Sequence, residues 1–280
     1  MSLTSPVSAR LETQPDLYFQ SLARLEQRHW WWRLMAAIET AWLDRILTGG
    51  RNGVALDLGC GTGAALERLA KRPELEHILG VEPVAEALAH SNSKRPSSES
   101  NTLLPRLIRA EGNHIPLAAE SVDLVLCFDV IQHLPIERRP GLLLEVRRVL
   151  RRGGHLLLRT NAPPLFQRSV ASSVEEERPI RPSHLVEWCD YANLTVLKHS
   201  RANIVGSLYD ELRSFVKVGQ GGDQASSGHP AGRGLVVESV GRHDRSPRLA
   251  QMIAAWEGFW VGRWGVSLPI GHSFWLHAQA

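Results

Sequence analysis

No stretch of this 280-residue sequence approaches the roughly 18 consecutive apolar residues that a membrane span requires. Met1 to Pro15 also lacks the apolar run of a signal peptide, so a cytoplasmic protein with no membrane span is expected. Cysteine is scarce. Cys60, Cys127 and Cys189 lie far apart with no C-x-x-C pair, which removes a disulfide framework and a cysteine zinc site, and no metal is expected. Excess charge is scarce as well: Lys+Arg is 32 against Asp+Glu 29, a net of +3. Arg147, Arg148, Arg151 and Arg152 read as a solvated helix end whose cations offset the helix dipole. Without aromatic interleaving they imply no nucleic-acid partner. Internal repeats are absent, and 43% hydrophobic against 22% charged residues excludes a disordered, collagen-like or coiled-coil chain.

What is present is alternation. Apolar runs at 54–58, 77–81, 107–110, 122–128 and 155–159 are separated by helical stretches at 64–70, 84–90 and 141–150. That is the pattern of an α/β fold, a parallel sheet wrapped in helices, and Gly153-Gly154 is expected to turn the chain into the fifth strand. Residues 1–15, rich in Ser, Thr and Pro, read as a flexible arm. Residues 16–47 read as an N-terminal helical lid in which Leu34, Ile38, Trp42 and Ile46 recur four apart along one face. The core is expected over 48–204, with a helix at 182–193 and a strand at 194–199. A C-terminal insertion at 205–265 contains the Gly- and Ser-dense stretch 219–234, too polar to order itself, and 266–280 supplies a final strand after a turn at Pro269-Ile270-Gly271.

The strongest local signal is Val54 to Gly63, an apolar strand running into glycines and then into a helix. Gly59, Gly61 and Gly63, with Cys60 and Thr62 between them, let a ligand approach the backbone where a helix start offers unpaired N–H groups. The spacing Gly59-x-Gly61-x-x-Ala64 also fits a dinucleotide fingerprint, with Glu82 lying 82 − 61 = 21 residues beyond the middle glycine. Asp57 shifts the balance, because a carboxylate there repels a pyrophosphate and attracts a cationic ligand. Glu82, followed by Pro83, ends the second strand where a carboxylate can accept a ribose diol. Glu111, Gly112 and Asn113 follow the third strand and suit an exocyclic amine. Together these describe a site for a nucleoside with a cationic tail.

Asp57-Leu-Gly-Cys-Gly-Thr-Gly63 resembles the first motif of the class I S-adenosylmethionine-dependent methyltransferases of the type 11 group. Glu82 is similar to that family's ribose-binding acid, and 110–117 to its Gly-Asp-Ala-x-x-Leu-Pro-Phe segment, with Glu111 in place of the usual Asp. Residues 121–134 resemble the fourth strand and its loop, and 148–154 the turn before the fifth. The resemblance implies a Rossmann-like seven-stranded sheet, S-adenosyl-L-methionine as cofactor and S-adenosyl-L-homocysteine as product. It further implies that Phe128 and Asp129 join the residues above around the cofactor, and that the acceptor is a small molecule or a lipid- or sugar-linked metabolite. A looser likeness covers Tyr18-Phe19, Leu22 to Arg33 with Glu26 and His29, and the closing 268–273; it points to bacterial members of unsettled substrate, often encoded beside glycan or envelope-lipid genes. The chain departs from that subgroup at 177–180, where Glu-Arg-Pro-Ile replaces a His-x-Arg-Arg-Tyr segment.

Methyl transfer from a sulfonium is an in-line displacement served by alignment and dehydration. A base is needed only where the acceptor has a proton to lose, and His133, beyond the fourth strand, is the catalytic candidate. Gln132 close by, with His29, Trp31 and Arg33 of the lid, are candidates for acceptor binding. Trp30, Trp31 and Trp32 sit about 100° apart on a helix, so all three cannot enter one core face. Trp256, Trp260 and Trp264, four apart, form one stripe that reads as core or dimer packing, or as a wall against an apolar acceptor. An NAD-dependent oxidoreductase, a non-catalytic cofactor-binding protein and a homodimer all stay open at this point.

Overall fold

Seven strands form one sheet in the order β3-β2-β1-β4-β5-β7-β6. The computed structural model describes residues 15–48, 53–94, 103–163, 179–204, 207 and 248–280. The expected arm, apart from its last residue, and the expected mobile stretch 219–234 lie outside the described residues. In chain order the elements are α1 (Pro15–Arg28), α2 (Trp30–Ile46), β1 (Gly53–Leu58), α3 (Ala64–Leu69), β2 (Leu75–Val81), α4 (Ala85–Ser93), β3 (Arg106–Ile108) and β4 (Val122–Phe128). There follow α5 (Arg139–Val149), β5 (Leu150–Asn161), α6 (Pro182–Tyr191), β6 (Thr195–Ala202), α7 (Arg248–Glu257) with a π-helical continuation Gly258–Trp264, and β7 (Ser273–Gln279). Strands β1 to β5 pair in parallel, while β7 enters between β5 and β6 and runs antiparallel to both.

The period-two pattern of the central strands divides the core between two faces. Leu56, Leu58, Val125, Cys127, Leu156 and Leu158 meet Leu142, Leu143, Val146 and Val149 of α5 and Leu185 and Cys189 of α6. Ala55, Leu124, Leu126, Leu157 and Trp275 face the other way, onto Leu34, Met35, Ile38, Trp42 and Leu43 of α2 and Leu66 and Leu69 of α3. The expectation of a lid over 16–47 is corrected by this packing. Ile38 is wholly buried and Leu43 nearly so, which makes α2 a layer of the sheet's own core; only α1, packed on α2 and α4, lies as a cover.

Gly153-Gly154 is likewise not a turn ahead of the fifth strand. Helix α5 runs directly into β5 at Leu150, and residues 151–154 bulge opposite residue 123 between the pairs Val122↔Leu150 and Leu124↔His155. Gly153 takes φ +79, which suits a bulge position that a side chain would strain. The basic group there is largely paired, with Arg148 on Glu145 at 2.8 Å, Arg151 on Asp123 at 2.7 Å and Arg152 on Glu120 at 3.8 Å.

Candidate active site

The C-terminal ends of β1, β2 and β4 converge where the strand order reverses, the place at which open α/β sheets bind ligands. After β1, Gly59 and Cys60 donate their N–H groups to the Val81 carbonyl at 2.7 and 3.1 Å, folding the glycine loop over the end of β2. Gly63 has φ +84 and caps α3; a Cβ there would come within 2.3 Å of Ser91 Oγ. At Gly61 the equivalent position is open, its nearest neighbour being the Gly59 carbonyl at 4.0 Å. The backbone leaves a cradle at the loop's centre.

Two carboxylates lie beneath that cradle. Glu82 accepts the Gly61 N–H and the Val84 N–H, one on each oxygen, both at 3.1 Å. Each oxygen retains a lone pair for a diol. Burial raises the Glu82 pKa, and the two backbone donors oppose that rise. Asp57 is almost fully buried, and desolvation, reinforced by the neighbouring Glu39, pushes its pKa up to about 8. Arg68 opposes this from a distance while pairing directly with Glu39, its Nε donating at 2.9 Å. Cys60 and Cys127 are buried thiols whose pKa values burial also drives up, and they act as small core residues.

The cover helix α1 contributes Glu26 and Tyr18, which the looser likeness included but to which no role was given. Thr62 Oγ1 donates to Glu26, whose other neighbour is Lys94 at 3.7 Å. Tyr18 feels the charges of both Glu26 and Glu82, and burial first, then those charges, raises its pKa. A carboxylate in the last turn of an amphipathic helix was the available signal, but only the fold shows that it meets Thr62, 36 residues away.

In the segment after β3, Glu111 is solvent-exposed and paired with Arg138 at 3.6 Å, outside the buried cluster. Gly112 sits over Leu58 and Leu142, and Asn113 donates to the Arg138 carbonyl at 2.9 Å while its Oδ1 is buried without a partner. Such an orphan acceptor suits an exocyclic amine. Pro83 is exposed and accepts from Arg109.

At the tip of β4, Phe128 and Asp129 meet the end of β5. Asp129 has φ +59, unusual for a residue with a side chain, and its carboxylate accepts from Nε and Nη2 of Arg159. Arg159 is buried in an aromatic box, its guanidinium carbon 5.2 Å from the Trp31 ring centre, 5.8 Å from Trp32, 5.0 Å from Phe128 and 5.4 Å from Trp275. Sequence reasoning missed Arg159, although a lone cation ending the buried run Leu156-Leu157-Leu158 is the kind of residue that needs a partner. The Trp32 Nε1–H is buried and unpartnered.

Gln132 Oε1 accepts from Thr160 Oγ1 at 3.0 Å and from the Asn161 N–H at 2.9 Å, so its carbonyl ties the β4 loop to β5. His29 caps α2, its Nδ1 accepting the Trp31 N–H at 3.2 Å, and burial lowers its pKa. Arg33 and His133 are exposed, His133 on the short turn Ile131–His133. The Trp256, Trp260 and Trp264 stripe is not core: all three side chains are exposed.

A parallel sheet with one antiparallel strand next to its edge, a glycine loop over β2 and buried acids at the ends of β1 and β2 define the class I S-adenosylmethionine-dependent methyltransferases. Comparison with known proteins agrees. Residues 56–158 match the family described as Methyltransferase domain. A ubiquinone biosynthesis O-methyltransferase of Haemophilus ducreyi is 25% identical over 202 residues, covering 62% of this chain and 83% of that protein. A probable S-adenosylmethionine-dependent methyltransferase of Mycobacterium tuberculosis is 30% identical over 132 residues, covering 47% of this chain but only 42% of that protein. Among solved structures, a SAM-dependent methyltransferase from Archaeoglobus fulgidus shares the fold, with a TM-score of 0.51 at 16% identity over 88% of this chain and 93% of that one. Residues 56–158 thus form a methyltransferase domain, and the fold and the named relatives support an enzyme that uses S-adenosylmethionine; the oxidoreductase and non-catalytic readings are not favoured. The residues fit that cofactor, since the open position at Gly61 leaves room for it, the orphaned Asn113 Oδ1 suits an amine and the buried acids suit a ribose and a cation. No helix among the described residues is long and apolar enough to cross a membrane.

Proposed function

We propose that the acceptor is a small molecule with an apolar body and a reactive hydroxyl, methylated on oxygen at the corner between β4, β5 and the start of α2. The observation that carries this reading is the aromatic box: Trp31, Trp32 and Phe128 wall a corner that also holds the Asp129 carboxylate and an unpartnered indole N–H. The name of the Haemophilus relative, an O-methyltransferase of ubiquinone biosynthesis, supports the same chemistry.

When bound, S-adenosylmethionine supplies an electrophilic methyl group on a positively charged sulfur. Gly59, Cys60, Gly61, Thr62 and Gly63 cradle its methionine portion, with Glu26 and Tyr18 closing over them. Asp57 offsets its ammonium, Glu82 holds the ribose, and Gly112 and Asn113 flank the adenine. Asp129, pinned by Arg159, accepts a hydrogen bond from the acceptor hydroxyl and orients its lone pair along the line of attack. With the cofactor bound, His133 would take the hydroxyl proton as the methyl group passes from sulfur to oxygen, S-adenosylhomocysteine being the leaving group, and would release that proton to solvent. Trp31 and Trp32 keep water from the reacting atoms. His29 and Arg33 sit at the rim of this corner. The three free cysteines, all buried, suit a reducing cytoplasm, and the pairing of Arg148, Arg151 and Arg152 with carboxylates weakens the case for a nucleic-acid partner.

Calorimetry with S-adenosylhomocysteine, and with NADH as the contrast, tests the cofactor half, with Glu82→Ala expected to abolish binding. Transfer of labelled methyl to a panel of phenols, amines and thiols tests the acceptor half. Product confined to amines or thiols would overturn the oxygen assignment.

A further inference from the structure

The last helical unit has two unlike faces. Gly258 and Gly262 lie on its inner face, where added Cβ atoms would be 3.5 Å from Ala37 Cβ and 3.0 Å from Ala41 Cβ, so helix α7 and its π-helical continuation run alongside α2 in the same direction at close range. The Trp42 indole donates to the Val261 carbonyl at 3.1 Å and locks the contact. The outer face is aromatic and bare: Trp256 is 55% exposed, Phe259 50%, Trp260 37% and Trp264 66%, with Met252 at 68%. Their rings touch one another in series, with centres 5.8 to 6.4 Å apart. A contiguous patch of this kind marks an interaction surface.

The charges beside it select the partner. On α2 the residues four apart read Arg33, Ala37, Ala41, Arg45. The two alanines lie beneath the two glycines, so the exposed Arg33 and Arg45 continue that row of α2 at either end, and the Arg45 guanidinium lies against Gly265, just past Trp264. Lys198 joins Arg45 at the lower end, its ammonium donating to the Gly265 carbonyl. From this arrangement we infer that the ridge is a docking surface for an anionic lipid bilayer. Tryptophan favours the boundary between headgroups and acyl chains, and cations flanking an apolar helix face meet anionic headgroups. The outer face of a single helix is convex, which a fluid bilayer accommodates and a rigid copy of the same surface does not. The parallel helix pairing sets the orientation: the Met252 and Trp256 end lies beside the start of α2, where Trp31 and Trp32 wall the acceptor corner. Docking therefore brings the mouth of that corner to the membrane, whichever atom the enzyme methylates.

The test is co-sedimentation of the full chain with vesicles of equal parts phosphatidylcholine and phosphatidylglycerol, with pure phosphatidylcholine vesicles as the second arm. The wild-type chain is expected to pellet with the mixed vesicles and shift its tryptophan emission to the blue. The triple variant Trp256→Gln, Phe259→Gln, Trp264→Gln is expected to lose at least about tenfold in partitioning, and Arg45→Glu to bind more weakly with less salt dependence. Unchanged S-adenosylhomocysteine affinity in both variants shows that they remain folded. Wild-type protein left in the supernatant with both vesicle types overturns the inference. So does a wild-type dimer that the triple variant converts to monomer, because a second copy is then the occupant. Equal binding to pure phosphatidylcholine overturns the role given to the arginines.

Discussion

Raising the pH should tighten S-adenosylhomocysteine binding about tenfold from about 6 to about 7 and about fivefold more by about 8, and the reason lies in Asp57. In the free protein its carboxyl titrates at about 8, chiefly because burial disfavours the charged form and Glu39 adds like charge. At pH 7 it is therefore about nine-tenths protonated. An ammonium placed against it pulls its pKa down, so binding expels that proton, and each pH unit below the free value costs about 1.4 kcal/mol of affinity. Calorimetry at pH 7 in buffers of different ionisation heat should register release of close to one proton. Asp57→Asn should remove the slope and leave a weaker, pH-independent Kd. The sign on stability runs the opposite way: a carboxyl with a raised folded pKa contributes stability that is complete below about 4 and lost as pH rises through about 8, and bound ligand restores it. A flat Kd between pH 6 and 8, with no proton exchanged, would refute the placement of a cation beside Asp57.

Gly63→Ala forces a side chain into φ +84 and within 2.3 Å of Ser91 Oγ, which should cost about 1–3 kcal/mol and be read as a lowered melting temperature with loss of S-adenosylhomocysteine binding. Arg159→Met strips Asp129 of its partner inside the aromatic box; a loss of about 3–5 kcal/mol in denaturant unfolding is expected, together with a fall in kcat larger than any change in cofactor Kd. Glu257, buried and accepting the Asn203 and Ile204 N–H groups, has its pKa raised by burial to about 7. Wild-type stability should therefore drop by about 3 kcal/mol as pH rises from about 4.5 through about 7, and Glu257→Gln should show little of that drop in melts across the same range.

What could be read along the chain was local. The run Val54 to Gly63 announced a strand, a loop and a helix because each step depends on neighbours in sequence, and the structure places them so. Glu82 was legible because the strand it ends is itself periodic. The partners of these residues were not legible, since Glu26 reaches Thr62, and Arg159 reaches Trp31, only through the order in which strands and helices stack. The bulge at 151–154 escaped for the same reason: two glycines signal backbone freedom, but only pairing with β4 decides whether that freedom becomes a turn or an excess of residues. Helix α2 was read as a cover from its position before the first strand, whereas its Leu34, Ile38 and Trp42 face makes it half of the core. The tryptophan stripe obeyed helical periodicity, yet periodicity does not say which face is turned inward; Gly258 and Gly262 settle that by allowing the closest approach to α2.

The position of β7 bears on how the molecule assembles. Among the described strands β6 pairs with β7 alone, in pairs running from Thr195↔Gln279 to Ala202↔Ser273, with one further bridge from Arg201 to Leu268, and β7 follows it in the chain by some seventy residues. While the polypeptide is being made, β6 therefore waits as an unmatched ribbon, and the slot beside β5 stays vacant until the later segment threads into it. The sheet is finished from within, by a keystone set last. Its flank at the tip of β4, where Trp275 meets Phe128 and Arg159, gains its final shape only then. Competence for chemistry is tied to the arrival of β7, although the glycine loop, far earlier in the chain, has all its local ingredients long before.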